Sequence, residues 1–219
     1  MLRGFRDRQD AGIQLAAKLA GYSSDPRLVV LGLPRGGVPV AYEVARALHA
    51  PLDIFVVRKL GVPGHRELAM GAIASGGVRV LNREVMEALH ISAAIVNAVA
   101  AQEQPEVERQ QRAYRGDDPF PDLAGRTVIV VDDGLATGST MRAAVRALRQ
   151  SDPARIVVAA PVAAADTYRS LATEADEVVC VNVPQAFHAV SVWYEVFSQT
   201  SDDEVRNLLE TAAHAAPAY

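Results

Sequence analysis

Two adjacent carboxylates, Asp132 and Asp133, stand between an apolar run and a turn rich in glycine and hydroxyl groups. The run at residues 128–131 is β-branched throughout and does not alternate with polar residues, which is typical of a strand buried on both faces of a parallel sheet. Residues 141–148, beyond the turn at residues 134–140, repeat apolar side chains at helical spacing. The pattern predicts a strand, an acidic turn and a helix, with the turn at the carboxyl end of the strand.

The turn has the composition of a site for a phosphorylated sugar. Open α/β sheets bind ligands beyond the carboxyl ends of their strands, near the point where the strand order reverses. Residues 137–140 open the helix, so free backbone N–H groups, the helix dipole and the hydroxyl groups can converge on one phosphate. Asp132 and Asp133 would repel a phosphate, and they suit sugar hydroxyls or, through water, a magnesium ion. One end of the turn is expected to take phosphate and the other ribose.

This segment resembles the motif with which type I phosphoribosyltransferases bind phosphoribosyl pyrophosphate (PRPP). There, a hydrophobic strand, two acidic residues and a Thr-Gly-x-Thr-like loop follow one another. The resemblance implies that Asp132 and Asp133 contact the ribose 2′- and 3′-hydroxyls and hold Mg²⁺, directly or through water. It assigns the 5′-phosphate to Ala136, Thr137, Gly138, Ser139 and Thr140. Taken alone, an acid pair after a buried strand also fits receiver-like and phosphatase-like folds.

A second strand-to-helix turn, at residues 32–37, is rich in glycine. It lacks the glycine spacing of a dinucleotide fingerprint and the lysine of a P-loop. It resembles the pyrophosphate-binding loop of the same family, which often contains a cis peptide bond. The resemblance implies that three residues hold the leaving pyrophosphate: Arg35, Gly36 and Gly37. The alternative is a tight turn with an exposed arginine.

A basic pair, Arg58 and Lys59, leaves a strand predicted at residues 53–57. Glycine and proline at residues 61–64 predict an irregular, mobile loop. Its position matches the flexible catalytic loop of the family, which closes over the reacting centre and excludes water. The resemblance makes Lys59 catalytic, together with Asp132 and Asp133. It implies that Lys59, and secondarily Arg58, His65 and Arg66, bind and neutralise the pyrophosphate. A solvated connection is the alternative.

Apolar runs near residues 28, 54, 128, 156 and 178 predict parallel strands separated by helices or long crossovers. We expect a doubly wound, Rossmann-like, three-layer α/β sheet, with residues 68–74 as an antiparallel edge strand. The resemblance places the strand at residues 28–33 beside the strand at residues 128–131. One domain is predicted, with a core at about residues 28–183, a helical insertion at about residues 76–124 and a small hood.

The hood comprises residues 184–219 together with an amino-terminal helix predicted at residues 5–20. It holds half of the chain's scarce aromatic residues, and the resemblance implies that it binds the accepting base. Phe187 is the first choice for that contact and Trp193 the second.

The arginines of the amino-terminal helix, Arg6 and Arg8, are interpreted as a solvated face. A later helix is predicted to begin after Ser92 and to be interrupted at Pro105.

Composition excludes several other classes of protein. The 219 residues, 50% hydrophobic and 22% charged, suffice for a core. A formal net charge of −4 argues against nucleic acid as a partner. The one cysteine, Cys180, excludes a disulfide within the chain and a cysteine-rich metal site. Without a signal-like apolar region or a membrane-length stretch, we expect a cytoplasmic protein that does not bind membranes.

These features together predict a Mg²⁺-dependent phosphoribosyltransferase. Its acceptor is a purine, a pyrimidine or a related nitrogenous base, Asp133 is the nominee for handling the proton of that base, and the resemblance implies a homodimer. The alternative is a regulatory protein on the same fold that binds PRPP or a nucleotide without turnover. The basic segment at residues 58–66 favours the enzyme, because a sensor has no leaving pyrophosphate to cover.

Overall fold

A computed structural model describes residues 4–116 and 118–215 of the chain, without the side chains of Arg66, Glu67 and Ala215. The expectation for Arg66 therefore lies outside the described residues. The helices are α1 (Arg8–Lys18), α2 (Gly37–Leu48), α3 (Arg83–Ala88), α4 (Ala93–Arg115), α5 (Ser139–Leu148), α6 (Ala165–Leu171) and α7 (Asp202–Ala215). The strands are β1 (Leu28–Gly32), β2 (Leu52–Ile54), β3 (Val57–Val62), β4 (His65–Ala74), β5 (Arg79–Leu81), β6 (Thr127–Val131), β7 (Arg155–Val162) and β8 (Glu177–Asn182).

Five of these strands form a parallel sheet in the order β2-β1-β6-β7-β8. Alternate residues of β1 and β6 point to opposite faces, and both sets are buried. Val30 and Ile129 pack with α1 and α2 on one face, and Val29 and Val130 pack with α5 on the other. This arrangement explains the unbroken β-branched run and confirms the doubly wound, three-layer α/β fold.

The antiparallel strand predicted at residues 68–74 is present, although it does not lie at the edge of the main sheet. It is part of β4, which pairs with β3 and β5 in a separate three-stranded sheet. The segment expected to be an irregular loop is the β3–β4 hairpin, so Arg58 and Lys59 lie in β3 rather than in a loop. Gly61 falls at a shift in the strand register, which explains how the hairpin accommodates a residue typical of turns.

Helix α4 begins after Ser92, whose side chain accepts a hydrogen bond from the Ile95 N–H, as predicted. It does not stop at Pro105 but continues to Arg115. Residues on both sides of the proline are buried in one cluster with the antiparallel sheet and α7, among them Ala100 and Val107. Packing on both sides outweighs the roughly 3 kcal/mol that a proline costs inside a helix.

The two ends of the hood are joined by backbone hydrogen bonds. The Phe5 N–H donates to the Trp193 carbonyl at 2.7 Å, and the Glu195 N–H donates to the Phe5 carbonyl at 2.9 Å. Phe5 is fully buried against Tyr194, with ring centroids 5.4 Å apart.

Within residues 4–116 and 118–215, no helix combines the length and the apolar composition that crossing a bilayer requires.

Candidate functional site

The site lies at the carboxyl edge of the parallel sheet, where the strand order reverses. Gly32 at the end of β1 pairs with Ile54 of β2 on one side and with Val131 of β6 on the other. The segments that follow these strands therefore leave the sheet side by side: residues 33–37, 55–59 and 132–138. The predicted neighbourhood of the first strand and the acidic strand is confirmed.

The acid pair is held by its own backbone at the end of β6. The Asp132 N–H donates to the Ala159 carbonyl of β7 at 3.2 Å, and the Asp133 N–H donates to the Asp132 Oδ1 at 2.9 Å. Both side chains are half-buried. Of the Asp132 carboxylate oxygens, Oδ1 accepts this backbone hydrogen bond, which leaves Oδ2 available for a ligand.

Arg8 is a site residue that the sequence analysis missed. Its Nε and one terminal nitrogen contact the Asp133 Oδ2 at 2.9 and 2.8 Å. Its other terminal nitrogen donates to the Ser198 carbonyl at 2.6 Å, and its guanidinium lies 4.0 Å from the centroid of the Phe197 ring. The interpretation of Arg8 as part of a solvated face is wrong, because the arginine side chain is only 12% exposed. No local pattern signals this pair, whose members are separated by 125 positions.

A second contact from the hood reaches the same residue. The Tyr194 hydroxyl donates to the backbone carbonyl of Asp133 at 2.6 Å. Val190 covers the next residue, since a Cβ added at Gly134 would lie 2.5 Å from the Val190 Cγ1. The hood therefore lies directly against the acidic turn.

The glycine-rich turn after β1 touches the acid pair from the other side. A Cβ added at Gly36 would lie 2.0 Å from the Asp133 Oδ2, and one added at Gly37 would lie 2.9 Å from the Asp132 Cα. The cis peptide bond that the resemblance implies is present between Pro34 and Arg35. The two predicted ligand-binding turns thus lie against each other, and a side chain at residue 36 or 37 would collide with the acids.

The predicted phosphate loop turns into α5 at Gly138. This residue has φ 67° and ψ 8°, a left-handed conformation that glycine adopts without strain. The Ser139 N–H and its hydroxyl both face the Thr137 hydroxyl, at 3.4 and 3.2 Å. The amino end of α5 and two hydroxyl groups therefore meet at one point, as expected for an anion site.

Two side chains that were not predicted from the sequence donate hydrogen bonds to backbone carbonyl groups of this loop. The Thr167 hydroxyl of α6 donates to the Ala136 carbonyl at 2.5 Å, and Arg142 of α5 donates to the Thr137 carbonyl at 2.5 Å. These two hydrogen bonds hold the backbone of the loop in place at two successive carbonyl groups. Arg142 lies one helical turn after Gly138, whereas the position of Thr167 follows only from tertiary packing.

Burial and mutual repulsion govern the electrostatics of the acid pair. Burial raises the pKa of Asp132 well above its usual range, and the charge of Asp133 raises that pKa further. Burial also raises the pKa of Asp133, while the adjacent Arg8 opposes the rise. Burial and the neighbouring Asp133 raise the pKa of the Tyr194 hydroxyl, so it remains a neutral donor at physiological pH.

Two cations predicted to bind pyrophosphate are paired with carboxylates. Arg35 lies 3.5 Å from Asp202 at the start of α7, and Arg58 lies 2.8 Å from Glu103 of α4. Asp202 also contacts Arg109 at 3.0 Å. Lys59 is half-buried in β3. Arg35, Arg58 and Lys59 lie on the segments that follow β1 and β2 at the carboxyl edge of the parallel sheet.

The aromatic residues proposed for the base form part of the hood cluster. Phe187 and Trp193 are half-buried and pack with Phe5 and Tyr194. Phe187 follows the carboxyl end of β8, and its ring therefore belongs to the same edge of the sheet as the acid pair. Its partial exposure leaves surface that a flat ligand can contact.

Residues 64–195 match the family model described as phosphoribosyl transferase domain. The chain belongs to this family. It is 51% identical over 209 residues to "Putative phosphoribosyl transferase Rv0571c" of Mycobacterium tuberculosis strain H37Rv. That match covers 95% of this chain and 47% of the relative, so the chain spans about half the length of the curated relatives it matches.

Two solved structures resemble this chain in fold. The crystal structure of TT1426 from Thermus thermophilus is similar over 99% of this chain and 100% of the other, with a TM-score of 0.86 and 40% identity. The AQ2163 protein of Aquifex aeolicus has a TM-score of 0.51 and 12% identity, over 83% of this chain and 76% of the other, which shows the shared fold alone.

Replacing Asp132 by Asn is expected to stabilise the protein increasingly as pH rises. The folded-state pKa of Asp132 is raised, so the native protein holds a proton that the unfolded chain loses near pH 4, and stability falls as pH rises through the folded pKa. Asn does not titrate, so the variant does not lose stability in this way. Urea unfolding of both proteins between about pH 4 and neutral pH measures the difference. The control is Asp166→Asn, whose carboxylate is 94% exposed; a gain for Asp132→Asn that is constant with pH contradicts the assignment.

Replacing Gly36 by Ala is expected to destabilise the protein by about 1–3 kcal/mol, the usual cost of an overpacked site. Gly36 has φ −62° and ψ −30°, a backbone conformation that alanine also adopts, so the new methyl group is opposed by its contacts, chiefly with the Asp133 carboxylate and also with the Arg8 Nε. Chemical unfolding measures the effect. Gly21→Ala is the matched control, because nothing lies within 4 Å of its added Cβ. Equal stabilities of the two variants would show that the crevice is wider than described.

Proposed function

We propose that this chain is a Mg²⁺-dependent phosphoribosyltransferase. In the proposed reaction, a nitrogen of a purine, pyrimidine or related base displaces pyrophosphate from carbon 1 of PRPP, or the reverse reaction occurs. The observation that carries the proposal is the contact between the turn at Gly36 and the Asp133 carboxylate. This contact places the acid pair, which leads along the chain to the amino end of α5, against a glycine turn. We infer that a crevice at this edge of the sheet takes a ligand with a ribose between two phosphate groups.

Each part of PRPP has a complementary surface in this crevice. The Asp132 Oδ2 and the Asp133 Oδ1, neither of which contacts Arg8, would accept hydrogen bonds from the ribose 2′- and 3′-hydroxyls. The 5′-phosphate would bind at residues 136–140, where backbone N–H groups and the dipole of α5 favour an anion. Arg35, Gly36 and Gly37 would contact the pyrophosphate. Arg35 has to exchange its contact with Asp202 for this ligand.

The carboxylates also fit a magnesium ion. In residues 4–116 and 118–215 there is no group of three or more His, Cys, Asp or Glu side chains that could hold a metal. Mg²⁺ does not require one, since it keeps several waters and binds through one or two carboxylates together with substrate phosphates. Asp132 and Asp133 are the residues that would hold it. When bound, the ion supplies positive charge that stabilises the leaving pyrophosphate.

The reaction at carbon 1 requires residues of the chain to stabilise charge on the leaving pyrophosphate and to accept the proton of the base. The bond between carbon 1 and the pyrophosphate oxygen breaks with its electron pair on the oxygen, and the base nitrogen forms the new bond and loses its proton. Lys59 and Arg58 of the hairpin would stabilise the growing negative charge. The geometry favours Asp132 over Asp133 as the proton acceptor, because Arg8 already contacts the Asp133 carboxylate and reduces its basicity.

A second candidate function is a sensor that binds PRPP or a nucleotide with little turnover. The ion pairs Arg35–Asp202 and Arg58–Glu103 favour it, because both cations proposed for pyrophosphate already contact carboxylates. Each pair is partly exposed, and exposed ion pairs contribute at most about 1 kcal/mol. A ligand with several negative charges can displace them, so the enzyme remains the first candidate.

Pyrophosphate release tests the proposal most simply. The purified chain is incubated with PRPP, Mg²⁺ and each member of a panel of bases, and the expected result is release with at least one of them. The double variant Asp132→Asn, Asp133→Asn should lose release while keeping its fold, because both acids end a strand rather than pack in the core. PRPP binding without release for any base would support the sensor, and the absence of PRPP binding would refute both functions. Light scattering on the same samples tests the proposed homodimer.

Replacing Lys59 by Ala is expected to lower kcat more than it raises KM. The reason is that charge on the leaving group grows as the bond breaks, so Lys59 interacts more strongly with the transition state than with bound PRPP. Steady-state kinetics with the best base separates the two constants. The matched control is Lys18→Ala, which removes the same charge from an exposed position of α1. An effect on KM alone would assign Lys59 to ground-state binding, and no effect would make the hairpin a simple connection.

Replacing Phe187 by Ala is expected to weaken binding of the base while leaving PRPP binding intact. An aromatic face contributes roughly 1–3 kcal/mol of stacking per base, and Phe187 is the half-buried ring that follows β8. Calorimetric titration with the nucleotide of the best base, and separately with PRPP, measures both affinities. Joint loss of PRPP binding and thermal stability would identify Phe187 as a packing residue, as would an unchanged nucleotide affinity.

A further inference from the structure

We propose that Arg8 is a positioning residue that holds the Asp133 carboxylate in its ribose-binding orientation and couples it to the hood. The inference deepens the proposed function and rests on it. It concerns a residue of the amino-terminal helix that lies outside both predicted ligand-binding turns and outside the segment matched by the family model.

The guanidinium of Arg8 makes contacts on all of its sides. Two nitrogens approach the Asp133 Oδ2 at 2.9 and 2.8 Å, and the third donates to the Ser198 carbonyl at 2.6 Å. The flat face of the group lies 4.0 Å from the centroid of the Phe197 ring. Because the guanidinium is planar and its donors are rigidly spaced, these contacts fix its orientation, and it in turn fixes the carboxylate.

The Asp133 side chain has few other restraints. Its backbone is held on both sides, since its N–H donates to Asp132 and its carbonyl accepts from the Tyr194 hydroxyl. Its Oδ2 faces Gly36, where no side chain could hold it in place. Without Arg8, the Asp133 carboxylate would lose the two contacts that hold its Oδ2, and the available oxygen would no longer point in a single direction.

The charged and titratable groups around Asp133 come from three elements. Arg8 comes from α1, Asp132 from the same turn and Tyr194 from the hood. Arg8 is the cation that contacts the Asp133 carboxylate. Its other contacts, with Ser198 and Phe197, are both in the carboxyl-terminal part of the hood, residues 184–219. Arg8, on the amino-terminal helix of the hood, therefore links the Asp133 carboxylate to that carboxyl-terminal part.

This geometry predicts a selective effect on ligands. A compound that carries the ribose hydroxyls, such as ribose 5-phosphate or PRPP, depends on the orientation of Asp133. Inorganic pyrophosphate, which has no ribose, contacts the glycine turn and does not need it. Loss of Arg8 should therefore weaken the binding of ribose-containing ligands and leave the binding of pyrophosphate unchanged. General damage to the fold would weaken the binding of both.

The experiment is calorimetric titration of the full chain with ribose 5-phosphate and PRPP, each with and without Mg²⁺, and with pyrophosphate in the absence of Mg²⁺, because Asp133 is also proposed to hold the metal. The variants are Arg8→Ala, Arg8→Lys and the control Arg6→Ala, which removes the same charge from an exposed position two residues away. We expect Arg8→Ala to bind ribose 5-phosphate about tenfold more weakly or worse, the effect of losing charge-assisted hydrogen bonds. Arg8→Lys should be intermediate, because lysine keeps the charge but not the two-pronged contact. Arg6→Ala and all pyrophosphate affinities should match the wild type.

A double-mutant cycle with Asp133→Asn separates positioning from a general contribution to folding. If Arg8 acts through Asp133, Arg8→Ala should add little to the loss of ribose 5-phosphate affinity already caused by Asp133→Asn. Additive losses would overturn the inference, and so would wild-type affinity in Arg8→Lys or equal weakening of pyrophosphate. If thermal unfolding shows that Arg8→Ala does not fold, Arg8→Lys decides the question. A wild-type chain that binds pyrophosphate and neither ribose ligand would refute the proposed function itself.

Discussion

Five residues of β1 pair in parallel with five of β6, from Leu28 opposite Thr127 to Gly32 opposite Val131. These two strands are distant in sequence, and each is followed by one of the two turns that contain glycine and charged residues. Because they end level with each other, the turn at residues 33–37 and the acidic turn emerge at the same height and approach to contact distance. A shift of one residue in this pairing would move every side chain of β6 to the opposite face and separate the turns, so the buried faces of the strands also maintain the site.

Packing two carboxylates between a sheet end and a hood is electrostatically unfavourable. Burial raises the pKa of both acids, and the charge of Asp133 adds to the rise at Asp132. The fold offsets part of this cost with Arg8 and with the Tyr194 hydroxyl, both supplied by the hood. The hood, whose aromatic residues are proposed to contact the base, is thus also part of what makes the acidic turn stable. An unfavourable charge arrangement that persists in a crevice is typical of a functional site.

The sequence predicted the elements whose signals are local. The unbroken β-branched run of β6, the capping Ser92 and the glycine at residue 138 each act within a few residues, and each lies in the expected structure. The hairpin at β3 and β4 was not predictable in the same way, because Gly61 and Pro63 are typical of loops until a register shift and a partner strand are known. Pro105 is likewise tolerated because helical residues before and after it in the chain are buried in one cluster. Arg8 and Thr167 reach the site through tertiary contacts, which leave no periodicity in the chain.

A crystal structure of the chain with ribose 5-phosphate and Mg²⁺ would test whether this edge of the sheet takes a ribose between two anionic groups, as proposed. We expect the phosphate to lie within hydrogen-bonding distance of the backbone N–H groups of residues 137–140, and the ribose hydroxyls to contact Asp132 and the Asp133 Oδ1. A phosphate bound at the turn after β1 instead, or a sugar with no contact to either acid, would contradict it.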